Sequence, residues 1–122
     1  MIEIQLPYPP TINHYYVIYR GKPRISPEGR AYHQAVWLAV KGYGIKTVFK
    51  KHVKVAVDVW MPDRRKRDVD NILKPLLDAC TKADVWRDDS QVKVLTIRHC
   101  GYDPPAGRVV VRVEEIRDGK SN

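Results

Sequence analysis

Hydrophobic and polar positions alternate with a period of two at the start of the chain, where Ile2, Ile4 and Leu6 flank Glu3 and Gln5. That is the signature of a half-buried strand, and Pro9 and Pro10 end it. From Tyr15 to Ile25, aromatic and β-branched residues gather about Gly21, which predicts a hairpin with one arm confined to an edge by Pro23. Ser26, Pro27 and Glu28 read as N-cap, first-turn proline and first-turn acid of a helix. Tyr32, Ala35, Val36, Ala39 and Val40 follow at helical spacing, with Gly42 as the stop.

Val53, Val55, Val57 and Val59 alternate with Lys54, Ala56 and Asp58, predicting a strand that closes at Trp60-Met61-Pro62. Val69, Leu73, Leu76, Leu77 and Cys80 then recur on one helical face. Pro75 would delete a backbone hydrogen bond and clash one turn back, so this helix must kink or start close enough to hold Pro75 in its first turns. Two more strands are predicted, from about Val92 to Arg98 and from Arg108 to Glu115, flanking a turn-rich loop between Gly101 and Gly107. The order strand, hairpin, helix, strand, helix, strand, strand predicts an α+β domain, a small mixed sheet of about four strands covered on one face by two helices, with an N-terminal hairpin. A single domain is expected over residues 1–116, with a flexible tail over 117–122.

Composition narrows the function. In 122 residues, 22 Lys and Arg face 14 Asp and Glu, a formal net charge of +8, which attracts nucleic acid or an anionic membrane. No apolar stretch approaches the roughly 20 residues that span a bilayer, and no signal-peptide pattern opens the sequence, so a cytoplasmic protein is expected. Cys80 and Cys100 lack the close pairing of zinc or disulfide frameworks and are expected as free thiols. His14, His33, His52 and His99 are scattered without ligand spacing and are expected as ordinary surface or core residues.

The chemistry concentrates between Arg64 and Asp89. The cationic run Arg64-Arg65-Lys66-Arg67 leads into Asp68-Val69-Asp70-Asn71, Lys74 follows, and Trp86-Arg87-Asp88-Asp89 closes the segment. Clustered carboxylates repel one another and persist where a cation neutralises them. Magnesium takes oxygen ligands, keeps several waters and binds through a few carboxylates with substrate phosphate. Asp68, Asp70 and Asp89, with Asp88 as a fourth candidate, meet that demand if the two strands flanking them are neighbours and both acidic pairs converge on one edge. The plainer alternative is that Asp68 or Asp70 caps the second helix while Asp88 and Asp89 shape a turn. Lys74 lies one turn beyond Asp70, where it would either support the helix or balance charge at a scissile phosphate. The cationic run would draw phosphates toward the acids. Asn13, Tyr15 and Tyr16 would contact sugar, phosphate or an unstacked base, or serve as packing residues. Trp86 is expected as a buried anchor for the loop carrying Asp88 and Asp89.

At these residues the chain resembles the RusA family of crossover-junction endodeoxyribonucleases, the Holliday junction resolvases of bacteria and their prophages. The resemblance runs through Leu6 to Tyr16, Ser26 to Tyr32, Met61 to Asn71, Lys74, Asp78-Ala79 and Trp86 to Val92. It implies a magnesium-dependent nuclease, with manganese as a possible substitute and no organic cofactor, that places paired nicks across a four-way DNA junction as a homodimer. Asp68, Asp70 and Asp89 fall on the family's essential carboxylates and Lys74 on its catalytic lysine. Asp88, Asn71 and Arg67 match without settled roles. Asp84 departs from the pattern, because the family often has glycine after the second helix, and aspartate suits a left-handed cap less well. A non-catalytic basic nucleic-acid-binding module remains the alternative; it would explain the charge and the aromatics but not the acids.

Overall fold

The computed structural model describes residues 1–117. Apart from Arg117, the tail expected over 117–122 lies outside the described residues. Six strands and three helices follow one another as β1 (Ile2–Pro7), α1 (Ile12–Tyr15), β2 (Tyr16–Tyr19), β3 (Lys22–Ile25), α2 (Pro27–Gly42), β4 (Val53–Met61), α3 (Leu73–Lys82), β5 (Val92–Tyr102) and β6 (Arg108–Glu115). Short 3-10 turns precede α3 at Val69–Ile72 and β5 at Asp89–Gln91. The mixed sheet has the order β1-β6-β4-β5. β4 is antiparallel to β6 and parallel to β5, while β2 and β3 form the expected hairpin apart from it.

The period-two pattern sorts the sheet faces. Val53, Val55, Val57, Val59 and Met61 of β4 are buried with Val109, Val111 and Val113 of β6 and Ile4 and Leu6 of β1. Tyr32, Val36 and Val40 of α2 and Leu76, Ala79 and Cys80 of α3 complete this core. On the opposite face Asp58 is also buried, bound by Arg98 from β5 at 2.7 Å and Arg112 from β6 at 2.8 Å. Those guanidiniums hold its carboxyl down at about 2.

Ser26 caps α2 by accepting the Gly29 N–H at 3.0 Å. The helix stops at Gly42 as expected, and the left-handed position follows at Gly44, with φ of 73°. Of the alternatives for Pro75, the late start is the one found: the 3-10 turn takes up Val69–Ile72, and Pro75 lies in the first turn of α3, where its missing N–H deletes no helical bond. α3 ends in a Schellman motif, the Val85 N–H reaching Cys80 O at 3.0 Å and the Asp84 N–H reaching Thr81 O at 3.1 Å. Asp84 itself takes the left-handed position, with φ of 63°. β5 extends to Tyr102 rather than ending near Arg98, its pairing to β4 continuing past an irregularity at Val59/Trp60. The unexpected third helix is α1, a single turn that seats Tyr15 in the interior. No helix among the described residues is long and apolar enough to cross a membrane.

Candidate active site

β4 delivers the chain at Met61 into a cationic loop that is shaped from within. Asp63 accepts hydrogen bonds from the backbone N–H and Nε of Arg65 at 3.0 and 3.3 Å, and from two side-chain nitrogens of Arg67 at 3.2 and 2.8 Å. Arg67, the main cause, holds the Asp63 carboxyl down at about 2. Arg64 lies over the Tyr102 ring at 4.4 Å, and Lys66 is exposed. Tyr8, Thr11, Lys66, Arg67, Asp68 and Asn71 line a depression beside this loop.

Asp68 occupies the N-cap position of the 3-10 turn but makes no side-chain cap bond there. Lys74 does not pair back with Asp70. It pairs forward with Asp78, at 3.0 Å, and the hydrogen bond and charge of Asp78 raise the Lys74 pKa against desolvation, with smaller contributions from Tyr16 and Asp89. Lys74 is therefore a fixed cation rather than a proton acceptor at neutral pH. Asp68 and Asp70 are exposed, and no ion pair to either occurs among the described residues.

Asp78 is held on its other side. Tyr15, fully buried, donates its hydroxyl proton to Asp78 Oδ2 at 2.8 Å, and His33 Nε2 lies 2.6 Å from the same hydroxyl. With the tyrosyl proton committed to Asp78, the Tyr15 oxygen accepts from a protonated His33 Nε2. Burial first, and then Asp78, raise the Tyr15 pKa, while burial lowers that of His33. His33 is thus half-buried and part of a side-chain network. Tyr15, expected as a DNA contact, is corrected to an interior residue because no part of it reaches solvent.

Asp88 and Asp89 sit at the foot of α3. Asp88 caps the 3-10 turn by accepting the Ser90 N–H at 2.9 Å, and Gln91 returns the bond by accepting the Asp88 N–H at 2.9 Å. Gln91, buried, also donates to the carbonyls of Phe49 and Lys51 at 3.0 and 2.8 Å. Asp89 is held by the Thr81 hydroxyl and by Trp86 Nε1. Trp86 is fully buried, as expected of an anchor. Burial pushes the neighbouring Cys80 thiol up to about 12, which removes it as a nucleophile.

The two acidic pairs flank α3 in the chain, and the charge of Asp89 is felt at Lys74 near the other end of that helix. β4 and β5 are neighbours, but they run parallel, so the end of one and the start of the other lie at opposite ends of the sheet. α3 brings the chain back between them, and its ten residues span about 15 Å. Asp68 and Asp70 accordingly stand before its head and Asp88 and Asp89 at its foot. Among the described residues no three His, Cys, Asp or Glu side chains are grouped to hold a metal. Asp68 and Asp70 beside a phosphate-attracting loop would suit magnesium, since this ion commonly binds through one or two carboxylates with substrate phosphate, and Asp89 is the further carboxylate whose charge reaches Lys74.

Of the remaining DNA-contact candidates, Asn13 and Tyr16 are exposed and Asn71 is half-buried. Asp78, His33, Thr81 and Gln91 carry the network yet had no assigned role in the sequence. Only the Lys74-to-Asp78 spacing, one helical turn, offered a signal.

The chain matches the family model described as "Endodeoxyribonuclease RusA" over residues 7–114. It is 46% identical over 90 residues to "Crossover junction endodeoxyribonuclease rusA" of Enterobacteria phage 82, covering 74% of this chain and 75% of that protein. The same length and coverage give 45% identity to the Shigella sonnei (strain Ss046) protein and 44% to the Escherichia coli (strain K12) protein, each named "Crossover junction endodeoxyribonuclease RusA".

Proposed function

Because the chain belongs to the RusA family of endodeoxyribonucleases, we propose that it resolves four-way DNA junctions by magnesium-dependent, symmetric nicking of two opposed strands. The observation that carries this reading is the pairing of a locked cation, Lys74 held at 3.0 Å by Asp78, with two exposed carboxylates, Asp68 and Asp70, that pair with no cation among the described residues. A basic binding module has no use for bare acids beside its cationic loop.

In this reading Arg64, Arg65 and Lys66 draw the DNA backbone to the loop, and Arg67, tied to Asp63, keeps the loop in shape. Asp68 and Asp70 hold the magnesium ion, which when bound supplies charge neutralisation at the phosphate and a water of lowered pKa. Lys74, protonated throughout the neutral range, balances the negative charge that grows on the phosphate during in-line attack. Asp89 contributes negative charge near Lys74, and its bonds to Thr81 and Trp86 fix the foot of the helix on which Lys74 sits. Cutting two opposed strands requires two such sites, and a two-fold homodimer provides them with one gene product.

The non-catalytic alternative draws on the lack of a three-carboxylate group among the described residues. Incubation with a labelled four-way junction and a matched linear duplex, with and without magnesium, separates the two. Resolution predicts junction cleavage only with the ion; a binding module predicts salt-sensitive retention of both DNAs and no product under either condition.

A further inference from the structure

The β2–β3 hairpin turns through Arg20 and Gly21, whose φ values of 51° and 77° are both positive, as a two-residue type I′ turn requires. Its register pairs Tyr16 with Ile25 and Ile18 with Pro23 on one face, and Val17 with Arg24 and Tyr19 with Lys22 on the other. The first face is wholly apolar, yet Ile18 is 72% and Tyr16 37% exposed. On the second, Val17 is 43% and Tyr19 55% exposed. An isolated two-stranded hairpin is marginal in water, and a contiguous apolar surface on a protein is ordinarily a contact surface.

The root of the hairpin is fixed to the site. The Ser26 N–H donates to Tyr15 O at 2.8 Å and the Ser26 hydroxyl to His14 O at 2.7 Å. Gly29 admits the rings and methyls packed there, since a Cβ at that position would stand 2.8 Å from both Ile25 and Tyr15. Tyr15 in turn binds Asp78, the partner of Lys74. From that anchor the four residues of β2 reach outward about 13 Å at the usual strand rise.

We propose that this hairpin is the element that reads the branch point, its apolar side chains lying against base faces at the crossover while its cations hold the flanking phosphates. The inference rests on the proposed junction substrate. Arg20, Lys22 and Arg24 are cationic and no residue from Tyr15 to Ser26 is acidic, so the charge complements a DNA backbone. Apolar side chains wedge between base steps, and aromatic ones stack on bases regardless of sequence. Arg20 lies 5.3 Å from the Tyr19 ring centre, adding a cation beside that aromatic face. A linear duplex keeps its bases stacked and offers the hairpin only phosphates. A crossover opens base-pair faces, and there alone the apolar residues gain a partner. A second copy of the chain is the poorer occupant, because two hairpins meeting would set these cations against one another.

The test compares the full-length protein with an Ile18→Ser/Tyr19→Ser variant, both in the presence of a four-way junction carrying 2-aminopurine at the crossover. Wild type is expected to change the fluorescence as side chains stack on the exposed base, and the variant to lose that change. The variant should bind the junction at least about fivefold more weakly while its linear-duplex affinity stays within about twofold. A Lys22→Ser/Arg24→Ser variant should instead weaken both DNAs and flatten the salt dependence by about two phosphate contacts. Junction affinity and fluorescence equal to wild type in the first variant would overturn the inference. So would a halving of its native mass, which would make the hairpin a protein interface. A wild-type protein that does not prefer junctions at all defeats the functional proposal, and this inference with it; a wild type that does, matched by the variant, defeats this inference alone.

Discussion

The Tyr15 hydroxyl donates to Asp78 at 2.8 Å across a sequence separation of 63 residues, and through Asp78 it sets the position of Lys74. Tyr15→Phe leaves the His33 N–H without its acceptor and Asp78 without one donor, which should cost about 1–3 kcal/mol in urea unfolding. Asp78→Asn keeps an acceptor for Tyr15 but removes the charge that raises the Lys74 pKa. The Lys74 amine should then titrate at lower pH by NMR, and cleavage should slow with junction affinity little changed. An unmoved Lys74 titration would show that Asp78 does not govern it.

Asp88 and Asp70 should respond differently to the same substitution. Asparagine caps a helix about as well as aspartate, so Asp88→Asn retains the bond to the Ser90 N–H that structures the turn. Its cleavage rate should remain near wild type, whereas Asp70→Asn should abolish cleavage and leave junction binding intact. Equal losses in the two variants would assign Asp88 to the metal.

Stability should fall with acid in a defined window. Asp58, ordinarily at 3.8, is held at about 2 by Arg98 and Arg112. A depressed carboxylate contributes stability above its unfolded-state pKa and loses it as pH falls through the folded one, so the loss runs from about pH 4 to pH 2. With Arg98 open to solvent, about 1–2 kcal/mol is expected from Asp58. Asp63 titrates in the same window, so the comparison is between wild type and Asp58→Asn. Unfolding curves that converge between those pH values would bear this out; parallel curves would not.

Asp84→Gly should stabilise the fold. Asp84 holds φ of 63° at the end of α3, a conformation costing a side-chain-bearing residue about 1 kcal/mol that glycine avoids. The melting temperature should rise by a few degrees with cleavage unaffected.

The sequence displayed most elements directly because local physics decided them. Alternating valines made β4, the Ser26 cap started α2, and Pro75 left only a kink or a late start for α3, of which the late start is found. The departure at Asp84 was visible too, since the left-handed cap it marked is present. The site was harder to read because its contacts are long-range. Nothing near Tyr15 names Asp78, and nothing near Gln91 names the carbonyls of Phe49 and Lys51. One signal stood unread: two strands joined through a single helix pair in parallel, as crossover connections do. That connection sets α3 between Asp70 and Asp88.

The most direct measurement uses a supercoiled plasmid with an extruded cruciform, incubated with the protein and magnesium. Paired cuts in opposed strands across the junction yield linear DNA, whereas one nick relaxes the plasmid and absorbs the cruciform, leaving open circles. The account predicts linear product that requires magnesium and disappears with Asp70→Asn. Open circles alone, or linear product that survives chelation or the Asp70 substitution, would contradict it.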